Sequence, residues 1–243
     1  MVKLSIIMPC YKGEKFIENS IITVEKVVSE FCKSFEIILV VDGFVDKTYD
    51  IAKNLENEFD NLKVVGYEKN RGKGYAIKYG LKFVEGKYVA LLDSDLDYHP
   101  KALKWFLEKI KNDNADIVIG NRRDKNSVFE YPPLRKFLSY CFNLYVNLMF
   151  PELKLKDTQA GIKMFKHDVI KDLFNNIYDF KSFNGYSFDV CILVLARKRG
   201  YKITYAPCIY NQKFTGIKGS IGLIKTIYKM GRDILLLKMK LKE

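Results

Sequence analysis

The sequence predicts an α/β fold, a single domain with a mostly parallel central sheet flanked by helices. Short apolar runs alternate with helix-length amphipathic stretches through the first half of the chain, which is the rhythm of strand–helix–strand units. Those runs suit strands covered on both faces. Several end in polar, glycine-bearing turns, and ligands of such sheets sit beyond the carboxyl ends of the strands.

Leu4–Met8 reads as the first strand and Glu14–Phe31 as a helix with Phe16, Ile17, Ile21, Val24, Val27 and Val28 on one side. Glu36–Val41 is the second strand, and Asp46 supplies an N-cap for a helix reaching Phe59. Leu62–Tyr67 is a third strand, Gly74–Val84 a helix and Tyr88–Leu92 a fourth strand. Pro100 opens a helix over Lys101–Asn112, and Ala115–Ile119 is a fifth strand. Beyond it, Leu134–Phe150 reads as a strongly apolar helix, and residues 157–165 as a loop entering a short strand. Val169–Phe174 and Phe188–Arg199 read as helices, Lys202–Ala206 as a strand and Ile221–Leu241 as a final helix. No repeat, linker or low-complexity segment interrupts this order, so one continuous domain is expected.

At 243 residues and 48% hydrophobic the chain can bury a core. Five scattered cysteines without a C-x-x-C pair indicate reduced thiols of a cytoplasmic protein, not a disulfide framework or zinc site. The N-terminus lacks a signal-peptide layout, and no apolar run approaches the roughly 18 residues that span a bilayer. Charge is lopsided: from Arg197 onward twelve Lys/Arg stand against two acids, a net +10 of the chain's +12. Such a tail suits an anionic partner. No RNA-binding motif accompanies it, so nucleic acid is not the expected one.

The run YVALLDSDLDYHP places Asp93, Asp95 and Asp97 at alternate positions just past the fourth strand. Carboxylates so spaced repel one another, and a divalent cation between them relieves the repulsion. Oxygen-only ligands favour Mg2+ or Mn2+ over zinc. A turn after Leu92 is needed to bring all three round one ion; otherwise Asp97 merely caps the next helix. At the end of the first strand Pro9 and Tyr11 offer a rigid turn and an aromatic face for a base. At the end of the second, Asp42 can accept from a base or ribose. NRGKGYA sets Asn70, Gly72, Lys73 and Gly74 before a helix, where backbone N–H groups and an ammonium meet phosphates.

Taken in order, SIIMPCYKGE, VVDGFVDKT, NRGKGYAIKYGL, YVALLDSDLDYHP, GNR and DTQAGIKMF resemble the family 2 glycosyltransferases with the GT-A (Rossmann-like) fold. The resemblance runs from Ser5 to about Ser220. It is nearest to dolichyl-phosphate mannose synthases and dolichyl-phosphate β-glucosyltransferases, DTQAG favouring the latter. It implies an inverting, metal-dependent transfer of a sugar from a UDP- or GDP-linked donor to dolichyl or another polyprenyl phosphate. By the same resemblance Pro9, Tyr11 and Asp42 hold the nucleoside, with Glu14 one place beyond the family's usual acid. Asp93, Asp95 and Asp97 hold the metal, with Ser94 beside the diphosphate. Arg122, Arg135 and Ser139 receive the lipid phosphate, Arg135 and Ser139 lying four apart on one helix face. Asp157, Gln159 and Asp189 fall near the sugar or acceptor.

Residues 1–220 are thus expected to form the glycosyltransferase domain, and 221–243 a basic amphipathic segment. Ile221, Ile224, Ile227, Tyr228, Leu235 and Met239 alternate with Lys225, Lys229, Arg232, Lys238 and Lys240, the composition of a helix in an anionic membrane interface. Leu138, Tyr140, Phe142, Leu144, Tyr145, Leu148 and Met149 add apolar surface on the earlier helix. The expected location is peripheral, on the cytoplasmic face of the membrane. Lys218, in a basic glycine-bearing loop, is the expected phosphate contact there. Pairing of these helices in a homo-oligomer is the alternative. Two other functions compete: a same-fold enzyme acting on a polysaccharide or protein hydroxyl, and a non-catalytic nucleotide-sugar or nucleic-acid binder.

Overall fold

The computed structural model describes residues 3–128, 133–151, 157, 160–176, 188–210, 228 and 231–239. Five strands and four helices alternate first: β1 (Leu4–Cys10), α1 (Ile17–Ser29), β2 (Phe35–Asp42), α2 (Thr48–Glu56), β3 (Leu62–Tyr67), α3 (Lys73–Gly80), β4 (Tyr88–Leu91), α4 (Ala102–Asn112) and β5 (Ile117–Gly120). Then come α5 (Pro133–Met149), β6 (Lys163–Lys166), α6 (His167–Asn175), α7 (Phe188–Lys198) and β7 (Ile203–Ala206). Residues 231–239 are helical.

The strands form one seven-stranded sheet in the order β3-β2-β1-β4-β6-β5-β7. Pairing is parallel except at β6, which runs antiparallel to both β4 and β5. The expected mostly parallel sheet is therefore present. Its heart is the apolar run of β1, with Leu4, Ile6, Ile7 and Met8 fully buried between β2 and β4. Helix α1 buries Ile17, Ile21, Val24 and Val28, the i, i+4, i+7, i+11 pattern of one face. Each such side chain contributes roughly 1.5–3 kcal/mol.

Chain direction creates the site. From β1 the chain steps outward to β2 and β3, then returns to lay β4 on the other side of β1. The strand order thus reverses between β1 and β4, the position where open α/β sheets bind ligands. Cys10 ends β1 and Leu91 ends β4, so the acidic run emerges at this reversal.

The expected helix caps need one correction. Helix α2 begins at Thr48, and Asp46 does not sit at the N-cap itself. Its carboxylate instead accepts the Thr48 backbone N–H at 3.1 Å and the Thr48 hydroxyl at 2.5 Å, satisfying one N-terminal donor from a residue further out. The expected helix to Val84 stops at Gly80 and tightens into a 3-10 turn over Leu81–Phe83. Gly80 packs so closely on β2 that a Cβ would stand 2.8 Å from Val40 Cγ2.

Candidate active site

The turn needed after Leu92 is present: Leu96 donates its N–H to the Asp93 carbonyl at 3.1 Å and adopts φ +52°. The Asp97 backbone N–H donates to Asp95 Oδ1 at 3.1 Å, while the Tyr210 hydroxyl lies 3.5 Å from Asp97 Oδ2. Among the described residues no three His, Cys, Asp or Glu side chains converge as a ready-made metal cage.

A cation does sit at these carboxylates, supplied by the chain. Lys73, first residue of α3, places its Nζ 2.6 Å from Asp93 Oδ1 and 3.9 Å from Asp189 Oδ2. Burial works against its charge, yet Asp189, Asp93 and Asp95 hold the Lys73 pKa above the ordinary lysine value. Burial, then Asp93 beside it, raises the Asp95 pKa. Two half-buried carboxylates are therefore arranged to accept positive charge, and their oxygens suit a hard divalent ion. Such ions are commonly held by one or two carboxylates plus substrate phosphates, so the donor set fits.

Behind Asp93 the chain makes room by omission. A Cβ on Gly161 would stand 2.3 Å from Asp93 Oδ2 and 3.2 Å from Tyr98. Across the strand-order reversal the Cys10 thiol hydrogen-bonds Ser94, which is buried; burial outweighs that bond and pushes the thiol up to about 12. Cys10 is thus a neutral packing group, not a nucleophile.

Asp42 ends β2 with its carboxylate engaged inside the protein. Oδ1 accepts from the Tyr67 hydroxyl at 2.9 Å and the Arg71 N–H at 2.7 Å; Oδ2 accepts from Asn70 Nδ2 and the Gly72 N–H, each at 2.9 Å. Four donors fill a carboxylate's acceptor positions. Asp42 is therefore the post on which the loop leading into Lys73 is hung. Gly43, at φ +100°, keeps that loop close, since a Cβ there would meet the Asn70 backbone nitrogen at 2.9 Å. Pro9 lies in β1 and Tyr11 follows it, half exposed, with Lys12 over its ring. Glu14 accepts the Lys47 N–H at 3.3 Å, tying the Tyr11 loop to the start of α2.

On the other flank Arg122 meets Asp157 in a two-pronged ion pair, Nε to Oδ2 at 2.7 Å and Nη2 to Oδ1 at 2.8 Å. The same Nη2 donates to Ser139 on α5 at 3.1 Å. Three segments distant in sequence are so locked together, with the guanidinium plane fixed. Arg135 belongs to α5, but its side chain lies outside the described part of the structure, as do Gln159 and Lys218 altogether.

Lys163 carries chemistry that sequence reasoning missed. It is wholly buried on β6, donates to the Ala160 carbonyl and lies 2.6 Å from Asp189 Oδ1. Burial opposes the Asp189 charge, but Lys163 and Lys73, with Arg122 behind them, outweigh it and hold its pKa below the ordinary carboxylate range. Burial lowers the Lys163 pKa in turn. Asp93, Lys73, Asp189 and Lys163 make a chain of alternating charge across the site. The only signal in the sequence was a lysine inside the apolar run IKMF.

Residues 5–174 match the model of the family described as Glycosyl transferase family 2. A dolichyl-phosphate beta-glucosyltransferase of Trichomonas vaginalis, ALG5A, is 33% identical to this chain, with 96% of this chain and 72% of that protein aligned. Glycosyltransferase AglD of Haloferax volcanii is 28% identical over 96% of this chain, which spans 36% of that longer protein. Glucosyl-3-phosphoglycerate synthase from Mycobacterium tuberculosis, solved with Mn2+, UDP and phosphoglyceric acid, superposes with a TM-score of 0.69 at 17% identity. That superposition covers 98% of this chain and 78% of that one, and at such identity the likeness is one of fold.

Proposed function

Because the chain belongs to glycosyl transferase family 2, we propose that it moves a sugar, with inversion, from a UDP- or GDP-linked donor to dolichyl or another polyprenyl phosphate. The observation that carries the choice of acceptor is the state of Asp189. A hydroxyl acceptor needs a general base whose pKa lies near the working pH. Asp189 is instead bound to one ammonium at 2.6 Å and faces a second at 3.9 Å, its pKa lowered. Such a group is a poor proton acceptor. A phosphate monoester arrives already ionised, and needs only positioning and charge neutralisation. The relative from Trichomonas is named for dolichyl phosphate, which supports the same choice.

In this reading Pro9, Tyr11 and Glu14 shape the nucleoside end, and Asp42 acts on it through the loop it anchors. Lys73 and Ser94 would face the diphosphate, with Lys218, outside the described residues, as the third expected contact. Asp93 and Asp95, with Asp97 on the adjoining turn, would hold Mg2+ or Mn2+. A bound divalent ion would offset the charge growing on the departing nucleotide diphosphate. Arg122, Arg135 and Ser139 would bind the acceptor phosphate, because an arginine fork matches its oxygens. Asp157 keeps Arg122 oriented, while Asp189, and Gln159 outside the described residues, would contact the sugar.

An acceptor held in lipid calls for a membrane-facing surface. Among the described residues no helix is long and apolar enough to cross a bilayer. Helix α5, however, exposes Phe137, Tyr140, Leu144 and Leu148, at i, i+3, i+7 and i+11. The Tyr145 hydroxyl donates to the Gly231 carbonyl at 3.0 Å, and the helix at 231–239 exposes Leu235, Leu236 and Met239 beside Arg232. We place this surface, with residues 221–243, on the cytoplasmic membrane face. All five cysteines are free thiols, in keeping with a reducing compartment.

The test is a panel of UDP- and GDP-sugars with Mn2+ and a short polyprenyl phosphate. Sugar transfer to lipid with one donor, lost in Asp95→Asn at unchanged melting temperature, supports the proposal. Transfer at the same rate without lipid phosphate favours a hydroxyl acceptor, and absence of turnover with every donor favours a binding protein.

A further inference from the structure

Lys73 faces two carboxylates from different sides, and they are not equivalent. Asp93, at 2.6 Å, is within hydrogen-bond reach; Asp189, at 3.9 Å, is an ion pair held at a distance. Asp93 has Asp95 two residues on, and like charges so placed repel. Its other oxygen is backed by Gly161, where a Cβ would stand 2.3 Å away. Asp189 is anchored from behind: the wholly buried Lys163 binds its Oδ1 at 2.6 Å and donates as well to the Ala160 carbonyl.

A lysine set between two acids is an element with two positions. While the carboxylate pair carries no other cation, the ammonium belongs on Asp93, where it relieves the repulsion with Asp95. A divalent ion at the same oxygens repels the ammonium, which then needs another partner nearby, since an unpaired charge in a half-buried site is costly. Asp189 lies within reach and already points an oxygen at it. Lys163 takes Oδ1 of Asp189, while Oδ2 faces Lys73 at 3.9 Å, short of a hydrogen bond.

We infer that Lys73 is the resting occupant of the Asp93–Asp95 pair, and that Asp189, fixed by Lys163, is the seat to which it moves when a divalent cation binds. Lys73, Asp189 and Lys163 are thereby positioning residues for cation entry. The inference rests on Asp93 and Asp95 being the cation's ligands. It also means that the chain alone takes the ion weakly, because the ammonium must first leave Asp93 for Asp189.

Calorimetric titration of Mn2+ into the full chain, without any donor, tests this directly. Lys73→Met should bind Mn2+ on the order of tenfold tighter than wild type, because the built-in competitor is gone. Asp189→Asn should bind several-fold weaker, since Lys73 is then left with Asp93. Lys163→Gln should bind tighter, because Asp189 then draws Lys73 away. Residues that merely hold the site together would all weaken binding when replaced, so the opposite signs are the signature. Lys73→Gln gives the same reading if the methionine variant fails to fold. Unchanged or weaker Mn2+ binding in the Lys73 variant overturns the inference. No sugar transfer is read, so a chain that tightens on Mn2+ yet transfers nothing sinks the proposed reaction alone. A chain that transfers sugar but whose Mn2+ affinity ignores Lys73 sinks this inference alone.

Discussion

Gly161 shows how much one absent side chain decides. A methyl group there would lie 2.3 Å from Asp93 Oδ2 and 3.2 Å from Tyr98, so either the backbone leading into β6 or the carboxylate must shift. Gly161→Ala is expected to cost about 1–3 kcal/mol in chemical denaturation. It should also lower the transfer rate by at least about tenfold, since misplacement near 1 Å is expensive at a reacting centre. An alanine variant with wild-type rate would show that Asp93 tolerates displacement. The acidic residues themselves were legible in the sequence, because three carboxylates after an apolar run have few structural uses. Lys163 was not, because a single lysine in a short strand ordinarily points to solvent, and its burial depends on Asp189, 26 residues away. Asp42 was legible as a strand-end acid but not in its work: four of its hydrogen bonds go to residues 67–72, a closure that no local pattern encodes.

Helix α5 is where burial and exposure part along one element. Phe142, Val146 and the carbon face of Tyr145 turn inward, whereas Phe137, Tyr140, Leu144 and Leu148 are more than half exposed, Leu148 at 65%. Apolar residues exposed in a line at helical spacing are what the proposed lipid-facing surface requires. Leu144→Glu with Leu148→Glu is expected to leave the melting temperature within about 2 °C, since neither side chain packs in the core. The same variant should weaken sedimentation with anionic liposomes severalfold, and more so in high salt, where the basic residues can no longer compensate. Undiminished liposome binding would contradict the proposed lipid-facing role of this helix face. Strands and helices of the first half were legible because apolar runs and amphipathic periods report burial directly; Leu62–Tyr67 was placed to the residue. The insertion of β6 between β4 and β5, reversed in direction, was not, because a four-residue run says nothing about which strands it will pair with.

Across the whole molecule the chain holds several carboxylates ionised by lysine partners, and this sets its response to acid. Burial opposes the charge on Asp189 and on Asp116, but Lys163 and Lys73 outweigh it at the first and Lys166 at the second, so both titrate below the unfolded value of about 3.9. Depressed native values mean that these pairs contribute in full above about pH 4 and lose their contribution as pH falls through the native pKa. The melting temperature should therefore hold near neutrality and drop below pH 4, with a smaller drop in Asp189→Asn. A melting temperature that falls instead between pH 7 and pH 5 would assign acid sensitivity to other groups. At this scale the charge pattern has one direction: carboxylates line the carboxyl edge of the sheet beside β1 and β4, while the excess of lysine and arginine gathers in the last fifth of the chain.

The sharpest trial is a side-by-side transfer assay with dolichyl phosphate and dolichol of equal chain length, each with the same donor and divalent ion. With Asp189 held ionised between two lysines, the enzyme should load the phosphate and leave the free alcohol untouched. Sugar appearing on dolichol at a comparable rate would contradict the account at its root.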